Sequence, residues 1–388
     1  MSTSKLGELI SYSNGKGYEK EQQSSGKYEL INLNSVDING GLKPSGKFVD
    51  NADETLKKND LVMVLSDLAH GNLLGKVALI PEDNKYVLNQ RVGLLRIKDK
   101  RIDPYYLFTY INRKQAYFKL MGGGTSQLNL NKDPILRFKV RYPEIIEQQK
   151  VGNLFKEIDD KISSLQIKLS KFKILKIALQ GLLYTDRGNP KLRFPDFKED
   201  YHTLRVSEIG EVKTGNTPST KVKEYWGSNT DETKYIWVTP TDINSSTIER
   251  TERILTSLGW EKARKVPANS LLITCIASIG KNTINLTPAA FNQQINSLTP
   301  KQGFDVYYLL HQFNRSKIRL ANAGNSSITE IVNKAQFEEF TLRLPKEYEE
   351  QRKIGKLFKE VDQLILTYKS MIEHYKLLKQ ALLQRMFI

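Results

Sequence analysis

The chain contains one unit twice. Glu147-Gln148-Gln149-Lys150-Val151-Gly152-Asn153-Leu154-Phe155-Lys156-Glu157-Ile158-Asp159 returns about 203 residues later as Glu350-Gln351-Arg352-Lys353-Ile354-Gly355-Lys356-Leu357-Phe358-Lys359-Glu360-Val361-Asp362. Shorter islands extend the repeat. Val36-Asp37-Ile38-Asn39 answers Thr241-Asp242-Ile243-Asn244, Gly75-Lys76 answers Gly280-Lys281, Leu88-Asn89-Gln90 answers Phe291-Asn292-Gln293, and Tyr105-Tyr106-Leu107-Phe108 answers Tyr307-Tyr308-Leu309-Leu310. Between the islands the halves diverge. A duplicated chain can present two similar surfaces related by a pseudo-two-fold axis.

The long repeated segments carry a seven-residue apolar period. Val151, Ile158, Leu165, Phe172 and Leu179, with Phe155, Ile162 and Leu169, form one stripe; Ile354, Val361, Tyr368, Tyr375 and Leu382, with Phe358, Ile365, Ile372 and the row Leu357, Leu364, Met371, Leu378, form the other. Stripes sustained over about five heptads predict two helices that bury each other as a left-handed coiled coil. Tyr235–Val238, Ser270–Thr274 and Phe340–Leu344 read as strands, and Asp305–Phe313 reads as a helix with an acidic start. The expected fold class is α+β: globular regions at 1–144 and 191–346, each followed by a long helix, at 145–190 and 347–388.

Charge bounds the partner. With 59 Lys and Arg against 43 Asp and Glu, the net charge is +16, which favours a polyanionic ligand, nucleic acid before an acidic membrane surface. No run of eighteen apolar residues and no apolar signal core at the start are present, so the chain is expected to be soluble and unexported. The single Cys275 fits a reducing cytoplasm.

Catalytic motifs are weak. Asp103-Pro104-Tyr105-Tyr106 resembles the base-clamping loop of adenine methyltransferases but lacks its second proline, and its repeat partner Asp305-Val306-Tyr307-Tyr308 lacks both; a helix start explains the residues better. Pro195-Asp196 with Glu211-Val212-Lys213 fits a degenerate nuclease pattern that the first unit does not share. Gly122-Gly123-Gly124-Thr125-Ser126 lacks the lysine of a phosphate loop. His70, His202, His311 and His374 show no metal-ligand spacing. No catalytic site and no metal site are expected.

Arg193-Phe194-Pro195-Asp196-Phe197 opening the second unit, Gly215-Asn216-Thr217-Pro218-Ser219-Thr220, Tyr225-Trp226-Gly227, Trp237-Val238-Thr239-Pro240, Asn292-Gln293-Gln294 and Glu350-Gln351-Arg352-Lys353-Ile354 occur in an order that resembles the specificity subunit of type I restriction-modification systems. The resemblance covers the whole chain. It implies two target recognition domains, each reading half of a bipartite sequence in double-stranded DNA. It also implies an antiparallel coiled coil that sets the spacer and docks two methyltransferase subunits, with motor-endonuclease subunits in the full complex. On that basis the chain itself binds no cofactor, S-adenosylmethionine belonging to the partner methyltransferase subunits. The first unit departs from the pattern: it has no counterpart of Arg193–Asp200, and Tyr201 stands where the family often has Trp. A self-contained DNA-modifying enzyme is the competing reading.

The residues suggest where DNA contact occurs. The loop from Gly215 to Lys221 offers backbone N–H groups, the hydroxyls of Thr217, Ser219 and Thr220, and Lys221, which suit phosphates; Lys213, Lys16 and Lys27 add charge. Asn216, Asn292 and Gln293, with Asn89 and Gln90, carry amides able to bond an adenine edge. Yet Asn89-Gln90 and Asn292-Gln293 occur in both units, and a shared residue does not explain different half-sites. A structural role suits these four better, as it suits Tyr225 and Trp226. Base readers are expected in the divergent stretches 16–27, 67–74, 221–234 and 251–265.

Overall fold

The computed structural model describes residues 1–68, 71–227, 235–324 and 331–387. The repeat reappears in the backbone: the two long helices span Ile145–Leu183 and Tyr348–Met386, 39 residues each, and begin and end at equivalent positions. Each is roughly 60 Å long at about 1.5 Å per residue. The central helix stops short of the expected residue 190. Thr185 Oγ1 donates to the Arg187 carbonyl, Gly188 adopts φ +62°, and Pro190 follows, so the backbone turns away before the helix can continue.

The chain forms two compact units, and the division passes through both helices. The first unit comprises residues 1–165 and 371–388, the second 166–370. Within each unit the helix segments run antiparallel. In the first, Phe155 packs on Phe387 with ring centroids 5.7 Å apart, and Asp159 accepts from Lys379 Nζ at 2.5 Å. In the second, Phe172 stacks on Tyr368 at 5.5 Å, and Lys176 lies 2.5 Å from Asp362. The seam residues Val151, Phe155, Ile158, Leu165, Ile354, Phe358, Val361 and Ile365 are buried, and Ile162 and Tyr368 are half-buried. Leu364 and Leu378, expected in the stripe, stand 40% and 39% exposed, because a pair of helices covers only a narrow line on each partner.

Each globular part is α+β. The first holds a four-stranded sheet ordered Ile10–Asn14, Val92–Ile97, Leu61–Val64, Val77–Leu79, and a three-stranded sheet ordered Phe48–Val49, Tyr28–Ile31, Tyr86–Leu88. The second holds a five-stranded sheet ordered Gly210–Thr214, Ile295–Pro300, Leu271–Thr274, Asn282–Asn285, Thr247–Ile248. Its other five-stranded sheet is ordered Trp226–Gly227, Ile254–Leu255, Tyr235–Val238, Ala289–Phe291, Lys265–Val266. The strands expected near 235, 270 and 340 are present. Among the described residues no helix is long and apolar enough to cross a membrane.

Framework residues of the repeat tie helix to globular part. Asp103 caps the helix Pro104–Arg113 by accepting from the Tyr106 N–H at 2.8 Å, and Asp305 caps Val306–Arg315 through the Tyr308 N–H at 2.7 Å, so both segments are helix starts. Buried Gln148 accepts from the Asp103 N–H and donates to the carbonyls of Arg101 and Pro143; buried Gln351 accepts from the Asp305 N–H and donates to the Pro345 carbonyl. A Cβ on Gly152 or Gly355 would stand 2.7 or 2.2 Å from the capping carboxylate, so glycine lets the long helix approach its cap. The opening segment of the second unit adds a clamp without parallel in the first. Arg193 bonds both carboxylate oxygens of buried Glu350 at 2.9 and 2.7 Å, and the Tyr201 hydroxyl donates to the same group. Glu147, the repeat counterpart of Glu350, is exposed.

Asp362 anchors a polar network in the second unit. It accepts from Ser246 Oγ and Lys176, with Tyr307 at 3.4 Å and fully buried His311 Nε2 at 3.3 Å. Burial alone would raise the Asp362 carboxyl, but His311, Lys176 and Ser246 outweigh it and hold it at about 2. Burial lowers the His311 pKa. The folded state therefore binds fewer protons at His311 than the unfolded chain, whose histidine titrates near ~6.5, and stability should fall as pH drops below that value. The melting temperature of the purified chain is expected to decline from pH 7 to pH 5, with His311→Leu flattening that decline even if it lowers stability at pH 7. An unchanged slope in His311→Leu would locate the titration elsewhere.

Candidate DNA interface

In the second unit the loop after the strand Gly210–Thr214 passes over the end of the neighbouring sheet. The Gly215 N–H donates to the Ile295 carbonyl and the Asn216 N–H to the Phe291 carbonyl. A Cβ at Gly215 would lie 2.2 Å from the Asn292 carbonyl oxygen, and one at Gly15 would lie 2.2 Å from that of Asn89. The two loops thus leave their sheets over the same framework turn, although their sequences differ. The backbone of the repeated Asn-Gln pair is tied alike in both units: the Asn89 and Asn292 N–H groups donate to the Ile31 and Val238 carbonyls.

Each of the expected amides makes at least one hydrogen bond within the protein. Asn216 donates to the Lys262 carbonyl at 3.0 Å and accepts from the Arg264 N–H at 2.6 Å, so its side chain braces the loop. Asn292, 8% exposed, donates to Gln294 Oε1 and accepts from the Gln294 N–H. Gln293 accepts from the Thr217 hydroxyl at 2.6 Å, and Gln90 donates to Glu19. Asn89 Oδ1 accepts from the Arg91 N–H at 3.5 Å. These bonds give each amide a bracing role, while Gln90 and Gln293 stay exposed, with Gln90 Oε1 and Gln293 Nε2 turned to no donor or acceptor among the described residues.

The cations and hydroxyls are better placed for phosphate. Ser219, Thr220 and Lys221 are exposed at the loop tip, and Lys213 is half-exposed with Glu211 at 3.2 Å. In the first unit Lys16 pairs with Asp53, and Lys27 lies 4.9 Å over the Tyr28 ring. Asp196 pairs with Lys353 and Glu211 with Lys213, so the loosely nuclease-like carboxylates have separate partners. His70 and residues 69–70 and 228–234 of the divergent stretches lie outside the described residues.

Two tryptophans carry the loop. Trp226 Nε1 donates to the Ser219 carbonyl and Trp237 Nε1 to the Asn216 carbonyl, both at 3.2 Å, with the rings edge-to-face at 4.9 Å. Trp226 thus braces the loop, in keeping with the structural role its sequence position suggests. Beside the tryptophans lies a cleft of about 490 Å³ lined by Trp237, Asp242, Glu252, Arg253, Ala277 and Asn292 among others. Arg253 falls inside the stretch 251–265, but nothing in the sequence separates it from the other cations there; its distinction is contact with two rings distant along the chain.

The sequence matches the family described as the type I restriction modification DNA specificity domain over residues 1–171 and again over 198–374. It is 31% identical over 198 residues to the MjaIX specificity subunit of Methanocaldococcus jannaschii, a match that takes in 49% of this chain and 44% of that protein. Identity to the HindI specificity subunit of Haemophilus influenzae is 22% over 385 residues, covering 80% of this chain and 82% of the other. The fold is similar to the crystal structure of a type I restriction-modification S subunit from M. genitalium, with a TM-score of 0.73 at 15% identity over 100% of this chain and 96% of that one.

Lys221→Ala should lower affinity for every DNA sequence alike and reduce the dependence of log affinity on log salt by roughly one, as expected of a lost phosphate contact. Titration of matched and unmatched duplexes at several salt concentrations checks this; a change in sequence preference at constant overall affinity would contradict it.

Proposed function

Because this chain belongs to the type I restriction-modification DNA specificity family, we propose that it is the sequence-reading subunit of a methyltransferase and endonuclease complex, each unit reading one half of a bipartite DNA target. The observation that carries the reading is the duplication: the family domain occurs twice, and each copy supplies a loop poised over the same sheet-end turn but different in sequence. The reading as a self-contained modifying enzyme has no such support, since the relatives are recognition subunits. Exchanging residues 200–345 for those of a relative should change one half of the methylated motif and leave the other. Loss of methylation at both halves in a folded chain would refute this modularity.

The helices are proposed to set the spacer and to dock two methyltransferase subunits, which would bring S-adenosylmethionine, with motor-endonuclease subunits joining for restriction. Support comes from exposed apolar pairs that recur at repeat-equivalent positions. Ile174 and Leu175 are 64% and 43% exposed in the second unit, and Leu377 and Leu378 are 58% and 39% exposed in the first. Two like patches suit two copies of one partner. Ile174→Glu should therefore reduce the assembled complex from two methyltransferase subunits to one, read by its mass in solution. Inserting a heptad into both helices at matched points should lengthen the spacer by about three base pairs, from ~10 Å of added helix and ~3.4 Å per base pair. Full assembly of Ile174→Glu, or an unaltered spacer in an active heptad variant, would count against these roles.

A further inference from the structure

Arg253 is exposed and held between two tryptophan rings. Its guanidinium lies 3.9 Å from the Trp226 ring centroid and 4.9 Å from that of Trp237, in the angle between two rings 83° apart. Its carbonyl accepts from the Thr251 hydroxyl at 2.6 Å and from the Trp237 N–H at 3.4 Å, so the backbone is fixed as well. Among the described residues the guanidinium has no carboxylate partner and no hydrogen-bond acceptor, and its N–H groups remain available at the cleft. A planar fork stacked on aromatic faces keeps its donors in one plane, which matches paired acceptors.

We propose that Arg253 reads a guanine in the half-site contacted by the second unit, its fork spanning O6 and N7 at the cleft beside Trp237. The inference rests on the DNA-recognition role argued above. Three features favour a base edge over a phosphate. The cleft carries the carboxylates of Asp242 and Glu252, and a phosphate there would meet two like charges. Asp242 is locked in place by the Thr239 N–H and hydroxyl at 2.8 and 2.6 Å and by the Glu252 N–H at 3.4 Å, so it does not swing aside. The phosphate-gripping loop is supported by the same two tryptophans that fix Arg253, which sets a backbone contact and a base contact side by side. The cleft wall also includes Ala277, whose φ of +61° is unusual for a residue with a side chain. Arginine on guanine O6 and N7 is the commonest specific base contact. Arg253 also lies in a divergent stretch, as a residue that distinguishes one half-site from the other must.

The test uses the chain assembled with its methyltransferase subunit. Methylome mapping gives the wild-type motif, and equilibrium binding is then measured on the cognate duplex, on duplexes with each base pair substituted, and on duplexes with 7-deazaguanine replacing each guanine in turn. Arg253→Ala and Arg253→Lys should each lower cognate affinity roughly 10- to 100-fold, remove discrimination at one G·C pair of one half-site, and leave affinity for unrelated sequence unchanged. The 7-deazaguanine penalty at that pair should be present in wild type and absent in both variants. Uniform weakening on all sequences with a shallower salt dependence would make Arg253 a phosphate contact, and intact discrimination would remove it from recognition. Because a variant can misfold, the wild-type complex also decides: indifference to 7-deazaguanine at every guanine of both half-sites overturns the proposal. A wild-type complex with no sequence preference would overturn the recognition role and this inference together.

Discussion

Each globular unit completes its core with an aromatic side chain from the end of a helix that began in the other unit. Tyr184, just past the central helix, is fully enclosed in the second unit, stacked on Tyr308 at 4.7 Å and edge-on to Phe358 at 5.3 Å. Phe387, just past the C-terminal helix, fills the same place in the first, 5.2 Å from Tyr106 and 5.7 Å from Phe155. Removing an enclosed aromatic of this size costs about 3–5 kcal/mol, a large part of a typical domain's stability. The pairing of the helices is therefore part of the fold of each unit.

Polar contacts then fix the register that apolar packing leaves loose. A seam of aliphatic side chains tolerates sliding by a turn, whereas Lys379 on Asp159 and Lys176 on Asp362 allow one alignment. The two pairs occupy equivalent positions, with a tyrosine, Tyr105 or Tyr307, reaching the same carboxylate from the globular side. Their surroundings differ: His311 faces Asp362 where the repeat places Thr109 in the first unit, so this buried histidine contact has no counterpart at that position. The Arg193 and Glu350 clamp is a similar one-sided addition. Buried and doubly bonded, Glu350 needs that arginine to remain charged at low cost, whereas Glu147 is exposed.

The helices, the strands near 235, 270 and 340 and the duplicated layout were legible because each leaves a local period or a second copy in the sequence. The central helix's end was less so, since the apolar period fades gradually while Thr185, Gly188 and Pro190 act together over one turn. The match of Tyr184 with Phe387 was hidden by a change of residue type just beyond the heptads. At the candidate interface, residue type marks amides suited to a base edge but not their bracing bonds, which come from residues distant along the chain: Lys262 and Arg264 for Asn216, Thr217 for Gln293.

The same distinction separates framework from reader across the molecule. A duplicated scaffold conserves what holds the loops: the glycine over the Asn carbonyl, the capping aspartate, the buried glutamine at the helix start. These positions are physically constrained, by close approach at Gly15 and Gly215 and by full burial at Gln148 and Gln351, so they cannot vary without cost. Exposed positions mounted on such a frame are free to change, and a side chain there gains precision only when something rigid holds it. Trp226 and Trp237 supply that rigidity to Arg253 while standing on the frame themselves. On the proposed function this division assigns the work: the shared contacts fix where the loops stand, and base readout would fall to a few braced side chains in the divergent stretches.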